Sequence, residues 1–321
     1  MRLAVTGSIA TDHLLTFDGR FVEQLLPDQL DKLSVVFLAS DLQIRRGGTG
    51  ANIAFGLGVL GQAPHLIGSV GKDAADYLTW LADHGVDVSG VRVSETLASP
   101  RFTVTTDNDQ NQIGAFYPGA MAEAALIELA PLGEFDLVVV APNDPGAMIR
   151  HSAECRDRGI PFAADPSQTL TFLDGDSIRL LVDGATYLFT NEYEAGLVAD
   201  KTGWSGDDIL SLVQTRITTR GAEGIVVQRR GEDDLHVPVA PAKRIAEPTG
   251  VGDAFRAGFL AATSWGLGLE RACQVGALLA THVVETVGTQ EYAFASGLFA
   301  ERLAAAYGDD AAAEVLPHLP S

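Results

Sequence analysis

An aspartate set against two glycines at the start of an apolar run is the part of this chain whose residue types most clearly invite chemistry. In Glu247-Pro248-Thr249-Gly250-Val251-Gly252-Asp253-Ala254-Phe255 the proline and glycines mark a tight loop, and a helical pattern follows at once. Glycines at a helix N-terminus leave backbone N–H groups bare, and the helix dipole adds partial positive charge there. Gly250, Val251 and Gly252 therefore form a candidate anion hole with Asp253 at its lip. A carboxylate in that place repels a bound phosphate. It makes sense if it takes a proton from an attacking hydroxyl while the hole holds the phosphoryl group being transferred. The alternative use of Asp253 is as a helix cap.

A second glycine-rich loop, Arg46-Gly47-Gly48-Thr49-Gly50-Ala51-Asn52, also leads into a helical run, which ends near Gly61. Its glycines permit close approach of a ligand to the backbone, and Asn52 offers both donors and acceptors. A structural glycine turn is the other reading. Phe102 and Phe116 lie on the two arms of a hairpin pattern, Arg101–Thr105 and Gln112–Tyr117, around the turn Asp107-Asn108-Asp109-Gln110-Asn111. Aromatic rings so placed can stack a flat nucleobase or pack against each other. Two apparent motifs are decoys. Gly56-Leu57-Gly58-Val59-Leu60-Gly61 fits GxGxxG in letters but ends a helical run instead of opening one, and Gly71-Lys72-Asp73 lacks the spacing of a phosphate-binding loop.

The elements that must position these residues alternate. Strand-like runs at Leu3–Gly7, His65–Val70, Asp136–Ala141, Pro161–Ala164, Thr186–Phe189 and Ile225–Gln228 are separated by helical patterns such as Ala74–His84, Pro145–Arg158 and Asn191–Ala199. That order predicts a mostly parallel sheet with helices on both faces. From Gly252 to Tyr307 the chain reads as several helices. Ser34–Ile44 and the hairpin alternate apolar and polar residues, which predicts a small separate sheet, a lid over the first third of the chain. Its approximate segments are 11–18, 34–45 and 99–118, within a single unit 1–321. Edges of small sheets invite pairing. With Val35, Phe37 and Leu42 on the lid, a homodimer joined through it is expected, Phe37 reaching the neighbouring active site.

Bulk properties narrow the function. The 321 residues carry a net charge of −20, which argues against nucleic-acid binding because phosphate backbones are repelled. The two cysteines, Cys155 and Cys273, lie in no CxxC pair, so neither a disulfide framework nor a zinc site is expected. The opening apolar run is too short for a signal peptide and no run reaches the length of a membrane span. A cytoplasmic protein without membrane partners is expected.

Gly47-Gly48 with Gly50-Ala51-Asn52, and Thr249-Gly250-Val251-Gly252-Asp253, together resemble the two signature regions of the ribokinase, or PfkB, family of carbohydrate and nucleoside kinases. The resemblance spans the chain. It implies a ribokinase-like three-layer α/β sandwich with a β-sheet lid, and an ATP- and magnesium-dependent phosphotransferase with an alcohol acceptor. Asn191-Glu192-Tyr193-Glu194 matches the family's Asn-x-x-Glu element, so Asn191 and Glu194 are implied to organise magnesium and phosphate through water. Thr218-Thr219-Arg220-Gly221-Ala222-Glu223-Gly224 resembles its nucleotide loop, implicating Thr219, Gly221 and Gly224, with no role evident for Arg220. Glu247 stands where Asp is common, which puts potassium binding near this loop in question. Asp12, after Ser8, matches the Asp that holds two sugar hydroxyls. Thr49 replaces a lysine usual in ribokinases, and Asn143 stands where a free-sugar kinase often has Glu. The wording of residues 4–13, Phe116–Met121 and Ala163–Gln168 resembles the actinobacterial adenosine kinases. That likeness implies that Ser8, Asp12, Gly48 and Asn52 hold ribose, and that Phe102, Phe116 and Gln168 surround adenine. A kinase for a free sugar or another nucleoside, and a non-catalytic nucleoside-binding protein, are the alternatives.

Overall fold

The computed structural model describes residues 1–25, 32 and 34–320. Along the chain the strands are β1 (Leu3–Thr6), β2 (Ala10–Phe17), β3 (Ala39–Gly47), β4 (His65–Val70), β5 (Asp87–Val93), β6 (Arg101–Thr106), β7 (Gln112–Tyr117), β8 (Leu137–Val140), β9 (Phe162–Ala164), β10 (Tyr187–Asn191), β11 (Thr215–Thr219), β12 (Ile225–Gln228) and β13 (Leu235–Val237). The helices are α1 (Phe21–Gln24), α2 (Thr49–Val59), α3 (Ala75–Asp83), α4 (Pro145–Arg158), α5 (Gly175–Val182), α6 (Glu192–Thr202), α7 (Gly206–Leu212), α8 (Val251–Ser264), α9 (Leu269–Val284), α10 (Ser296–Tyr307) and α11 (Asp309–Val315).

Nine strands form one sheet in the order β13-β12-β11-β10-β9-β8-β1-β4-β5, parallel except at β12 and β13. Its central strands are apolar at nearly every position because both faces are covered. Within β1, Leu3 and Val5 point into a core shared with α2, α8 and α9, while Ala4 points into a second core shared with α4, α5 and α6. This is the expected three-layer ribokinase-like sandwich. The order reverses around β1: the chain next adds β4 and β5 on one side, then β8 to β11 on the other. Ligands in open α/β sheets bind at such a switch, outside the carboxyl ends of the strands. Ser8, Asn143, Asp165, Asn191 and Thr219 all lie at those ends.

The other four strands form the lid, in the order β3-β2-β6-β7. The hairpin of β6 and β7 is antiparallel, whereas β2 and β6 run parallel, as their long separation in sequence permits. The strand expected over Ser34–Ile44 is displaced: β3 begins at Ala39 and runs on to Gly47. Pairing with β2 stops at Phe17 opposite Ala39, after a register shift between Thr16 and Phe17. Phe37, beyond that point, packs on Phe17 and Phe21, with ring centroids 5.1 and 4.7 Å away. In this chain Phe37 is therefore occupied within its own lid instead of projecting toward a neighbouring site.

Candidate active site

The first glycine loop is built by the crossing of three backbone segments. Gly48 has φ 92°, and a Cβ on it would fall 2.6 Å from both the Ala10 nitrogen and the Ser8 oxygen, so only glycine fits. Without a side chain, Gly48 cannot cap α2. Ser8 does so instead, its Oγ accepting from the Thr49 N–H at 3.0 Å. Ser8, expected to hold ribose, thus first holds the loop. Asn52 lies in the first turn of α2, and its Nδ2 donates to Asp253 Oδ2 at 2.8 Å. The two glycine motifs, 201 residues apart, meet through that bond.

Gly250 precedes α8 with φ 77°, and Thr289 packs where its Cβ would be, 2.7 Å away. Among the described residues nothing accepts from the N–H groups of Gly252 and Asp253, and no side chain caps α8, so the helix presents the bare donors that an anion site requires. Burial pushes the Asp253 carboxyl up to about 6, with Glu194 adding to the rise; the Arg256 guanidinium and the Asn52 hydrogen bond restrain it. A carboxylate of that pKa is ionised near neutrality yet basic enough to accept a proton.

Arg256 lies one turn into α8 and 6% exposed. It donates to Asp165, which is fully buried at the end of β9, at 2.6 Å. A Cβ on Gly252 would sit 2.7 Å from Arg256 Nη1, so the guanidinium lies directly behind the anion hole. Burial works against its charge, but Asp165, Asp253 and Glu194 outweigh that and hold Arg256 above its ordinary range. Burial likewise raises Asp165, with Arg256 opposing.

Asn191 and Glu194 make a capping box at the start of α6: Asn191 Oδ1 accepts from the Glu194 N–H and Glu194 Oε2 from the Asn191 N–H, each at 2.8 Å. Asn191 pairs with Thr219 across β10 and β11, which puts the Asn-x-x-Glu element beside the expected nucleotide loop. Gly221 and Gly224 turn that loop with φ 55° and 99°. Arg220, without a role in the sequence, ties it to α6 through Glu192 at 2.8 Å. Gln168 is exposed, and its neighbour Ser167 approaches Glu194 at 3.4 Å. It is not part of the cleft beneath the lid.

That cleft, about 270 Å³, is lined by Asp12, Leu14, Arg45, Phe102, Val104 and Glu247 among others. Asp12 stands opposite Arg45 on β3 and Phe102 on β6, and Phe102 opposite Phe116 on β7. Directly paired residues share a face, so Asp12, Phe102 and Phe116 all face the cleft. The Phe102 ring lies across Gly114, where a Cβ would come within 3.2 Å of it. Both phenylalanines keep open surface, 37% and 50% exposed. Burial, then Glu247, pushes Asp12 up to about 6 against the pull of Arg45. Glu247 accepts from Arg45 Nη1 at 2.8 Å and from the Gly288 N–H at 3.0 Å, tying the lid to the loop before α8.

Comparison with known proteins decides the family. The chain matches the pfkB family carbohydrate kinase profile over residues 12–294. It belongs to that family. A nucleoside kinase of Methanocaldococcus jannaschii is 30% identical over 76% of this chain and 80% of its own length. A Burkholderia thailandensis nucleoside kinase solved with inosine superposes with TM-score 0.84 at 36% identity, covering 95% of this chain and 98% of that one. Bacillus subtilis ribokinase is 25% identical over 90% of this chain and 94% of its own length. As a PfkB-family kinase the protein is an ATP-dependent phosphotransferase of the carbohydrate and nucleoside class. For such a kinase, sequence reading missed Arg256, Asp165, Thr289 and Gln290 around Asp253. Arg256 carried the one available signal, a cation three residues after Asp253 in an otherwise apolar helix.

Proposed function

We propose that this PfkB-family kinase is an adenosine kinase, transferring the γ-phosphate of ATP to the adenosine 5′-hydroxyl to give AMP and ADP, a purine-salvage reaction. The observation that carries this reading is the lid face on which Asp12 stands beside two unoccupied phenylalanine faces. A carboxylate accepts from two ribose hydroxyls, and the rings stack a base. Ser8, Gly48 and Asn52 complete the ribose side, and Gln168, outside the cleft, has no part in this reading. In this reading Asp253 takes the proton of the 5′-hydroxyl, whose oxygen attacks the γ-phosphorus as its bond to the ADP oxygen breaks. Gly250, Val251 and Gly252 meet the charge on the phosphoryl oxygens. Asn191, Thr219, Gly221 and Gly224 hold the nucleotide.

Magnesium, when bound, supplies further neutralisation of the phosphates. Among the described residues no group of three His, Cys, Asp or Glu side chains is placed to hold a bare ion. Glu194, with one carboxylate oxygen committed to its cap, fits a hydrated ion held through water. Arg45 and Gly288 both donate to Glu247 Oε2, and the proposed mechanism draws on no potassium ion. The lid's outer face carries the exposed Leu42 and Ile44, with Val36 and Leu38 beside it. We assign that face to a second copy of the chain. No helix among the described residues is long and apolar enough to cross a membrane, and both cysteines are free, in keeping with a cytoplasmic setting.

Labelled ATP with adenosine, inosine, ribose and fructose tests the reading. Adenosine should give the highest kcat/KM. Preference for inosine, the nucleoside in the Burkholderia structure, would make the protein another purine nucleoside kinase. Preference for ribose or fructose would make it a sugar kinase, and binding without turnover would make it a binding protein.

A further inference from the structure

The side chain that orients the base is itself oriented, and the source of that orientation lies well away from the reacting atoms. The indole Nε1–H of Trp80 can only donate. It donates to Gln290 Oε1 at 3.2 Å, which fixes which end of the Gln290 amide is which. Gln290 Nε2 must then point the other way, and it donates to Asn52 Oδ1 at 2.9 Å and to the Tyr77 hydroxyl at 2.6 Å. Tyr77 passes its own proton to the Gly47 carbonyl at 2.8 Å, so it can only accept from Gln290. With Asn52 Oδ1 taken by Gln290, and facing the Thr289 hydroxyl whose one proton it shares with the Arg46 carbonyl, each at 3.0 Å, the Asn52 NH₂ group faces Asp253 Oδ2 at 2.8 Å. Gln290 and Asn52 are 1% and 8% exposed, so water offers no substitute partner.

We propose that Gln290 is a positioning residue for catalysis, acting through Asn52 to hold Asp253. The relay Trp80–Gln290–Asn52–Asp253 permits only one sense of each amide. Reversing the Asn52 amide would set its oxygen against the Asp253 carboxylate. Correctly set, the relay binds Asp253 Oδ2 and leaves Oδ1 free for the acceptor hydroxyl. The Tyr77 bond to Gly47 anchors the same relay at the end of lid strand β3. This inference rests on the proposed kinase reaction with Asp253 as base, but not on which hydroxyl compound is the substrate.

A double-mutant cycle on the full-length enzyme tests it, run with whichever acceptor the wild type phosphorylates. Gln290→Met keeps the length and removes the amide. It should lower kcat about tenfold to a hundredfold, the scale of a misplaced catalytic group, leave the KM for ATP unchanged and move the acid limb of the pH profile upward. In an Asn52→Ala background the same substitution should cost less than about twofold, because its target is gone. Losses that multiply in the double variant, or an acid limb that stays in place, would overturn the proposal and leave Gln290 a packing residue. If Gln290→Met fails to fold, Trp80→Phe removes the first donor of the relay while keeping an aromatic ring beside Arg46, Phe55 and His84, and the same shift of the acid limb is then required. A wild-type protein without phosphotransfer to any tested acceptor would instead defeat the proposed function, a result distinct from multiplicative losses.

Discussion

Asp253 sits where two demands conflict. It must be desolvated enough to bind a proton well and charged enough to be free of one at neutral pH. Burial pushes it up to about 6, and Arg256 with Asn52 keeps it from rising further. If it is the base, kcat at saturating acceptor, where Asp12 is already engaged by substrate, should be level well above pH 6 and fall about tenfold per unit below it, as the deprotonated fraction declines. Asp253→Asn should lower kcat by roughly 10²–10⁴ with little change in substrate binding, and its residual rate should lack that acid limb. Near wild-type turnover in the variant would remove Asp253 from the mechanism. Asp12, also raised to about 6, gives a stability prediction. Its folded pKa lies above its ordinary value, so its contribution to stability is present below about pH 4 and is lost as pH rises through about 6. Asp12→Asn should therefore raise Tm by about 2–4 °C at pH 8 and leave it unchanged at pH 4, while adenosine KM increases. An equal shift at both pH values would mean that burial of the charge is not the cause.

At the scale of elements, the proposed reading gives the lid the choice of substrate. β2 brings Asp12, and the hairpin brings Phe102 and Phe116 to the same face, so in that reading sugar and base meet adjacent strands. Losing one stacking ring should cost on the order of 1–3 kcal/mol. Phe102→Ala and Phe116→Ala should each raise the adenosine KM about tenfold to a hundredfold while leaving any activity on free ribose nearly unchanged. The decisive quantity is the ratio of kcat/KM for adenosine to that for ribose. If both truncations leave it intact, the phenylalanines only pack the lid and the nucleoside reading loses its physical support.

For the whole molecule, a net charge of −20 works against binding an anionic nucleotide. In the proposed mechanism attraction is supplied locally, by the N-terminus of α8 backed by Arg256. The lid's outer face poses the other whole-molecule question. Leu42 and Ile44 are 51% and 60% exposed there on a strand edge. A homodimer across this face should appear by light scattering at micromolar concentration, and Leu42→Glu with Ile44→Glu should return it to a monomer. A wild-type protein that is monomeric and fully active would end the dimer proposal.

The strand and helix alternation could be read from sequence, and the helix Pro145–Arg158 and the strand Ile225–Gln228 to the residue, because periodicity and the flanking breakers are local properties. Both glycine loops and Asp253 were legible for the same reason: an anion hole is made by consecutive residues. What faced Asp253 was not. Asp165 lies 91 residues from Arg256, and Asn52 lies 238 from Gln290. No periodicity connects them, and a buried Gln looks in sequence like an exposed one. The start of β3 was misplaced because alternation continues through Val36 and Leu38, while pairing depends on where the partner strand β2 ends. Backbone conformation answers to neighbours along the chain. The partners of a buried polar group are set by which elements pack together, and here only the tertiary structure determined that the amide oxygen of Asn52 would be taken and its nitrogen turned to Asp253.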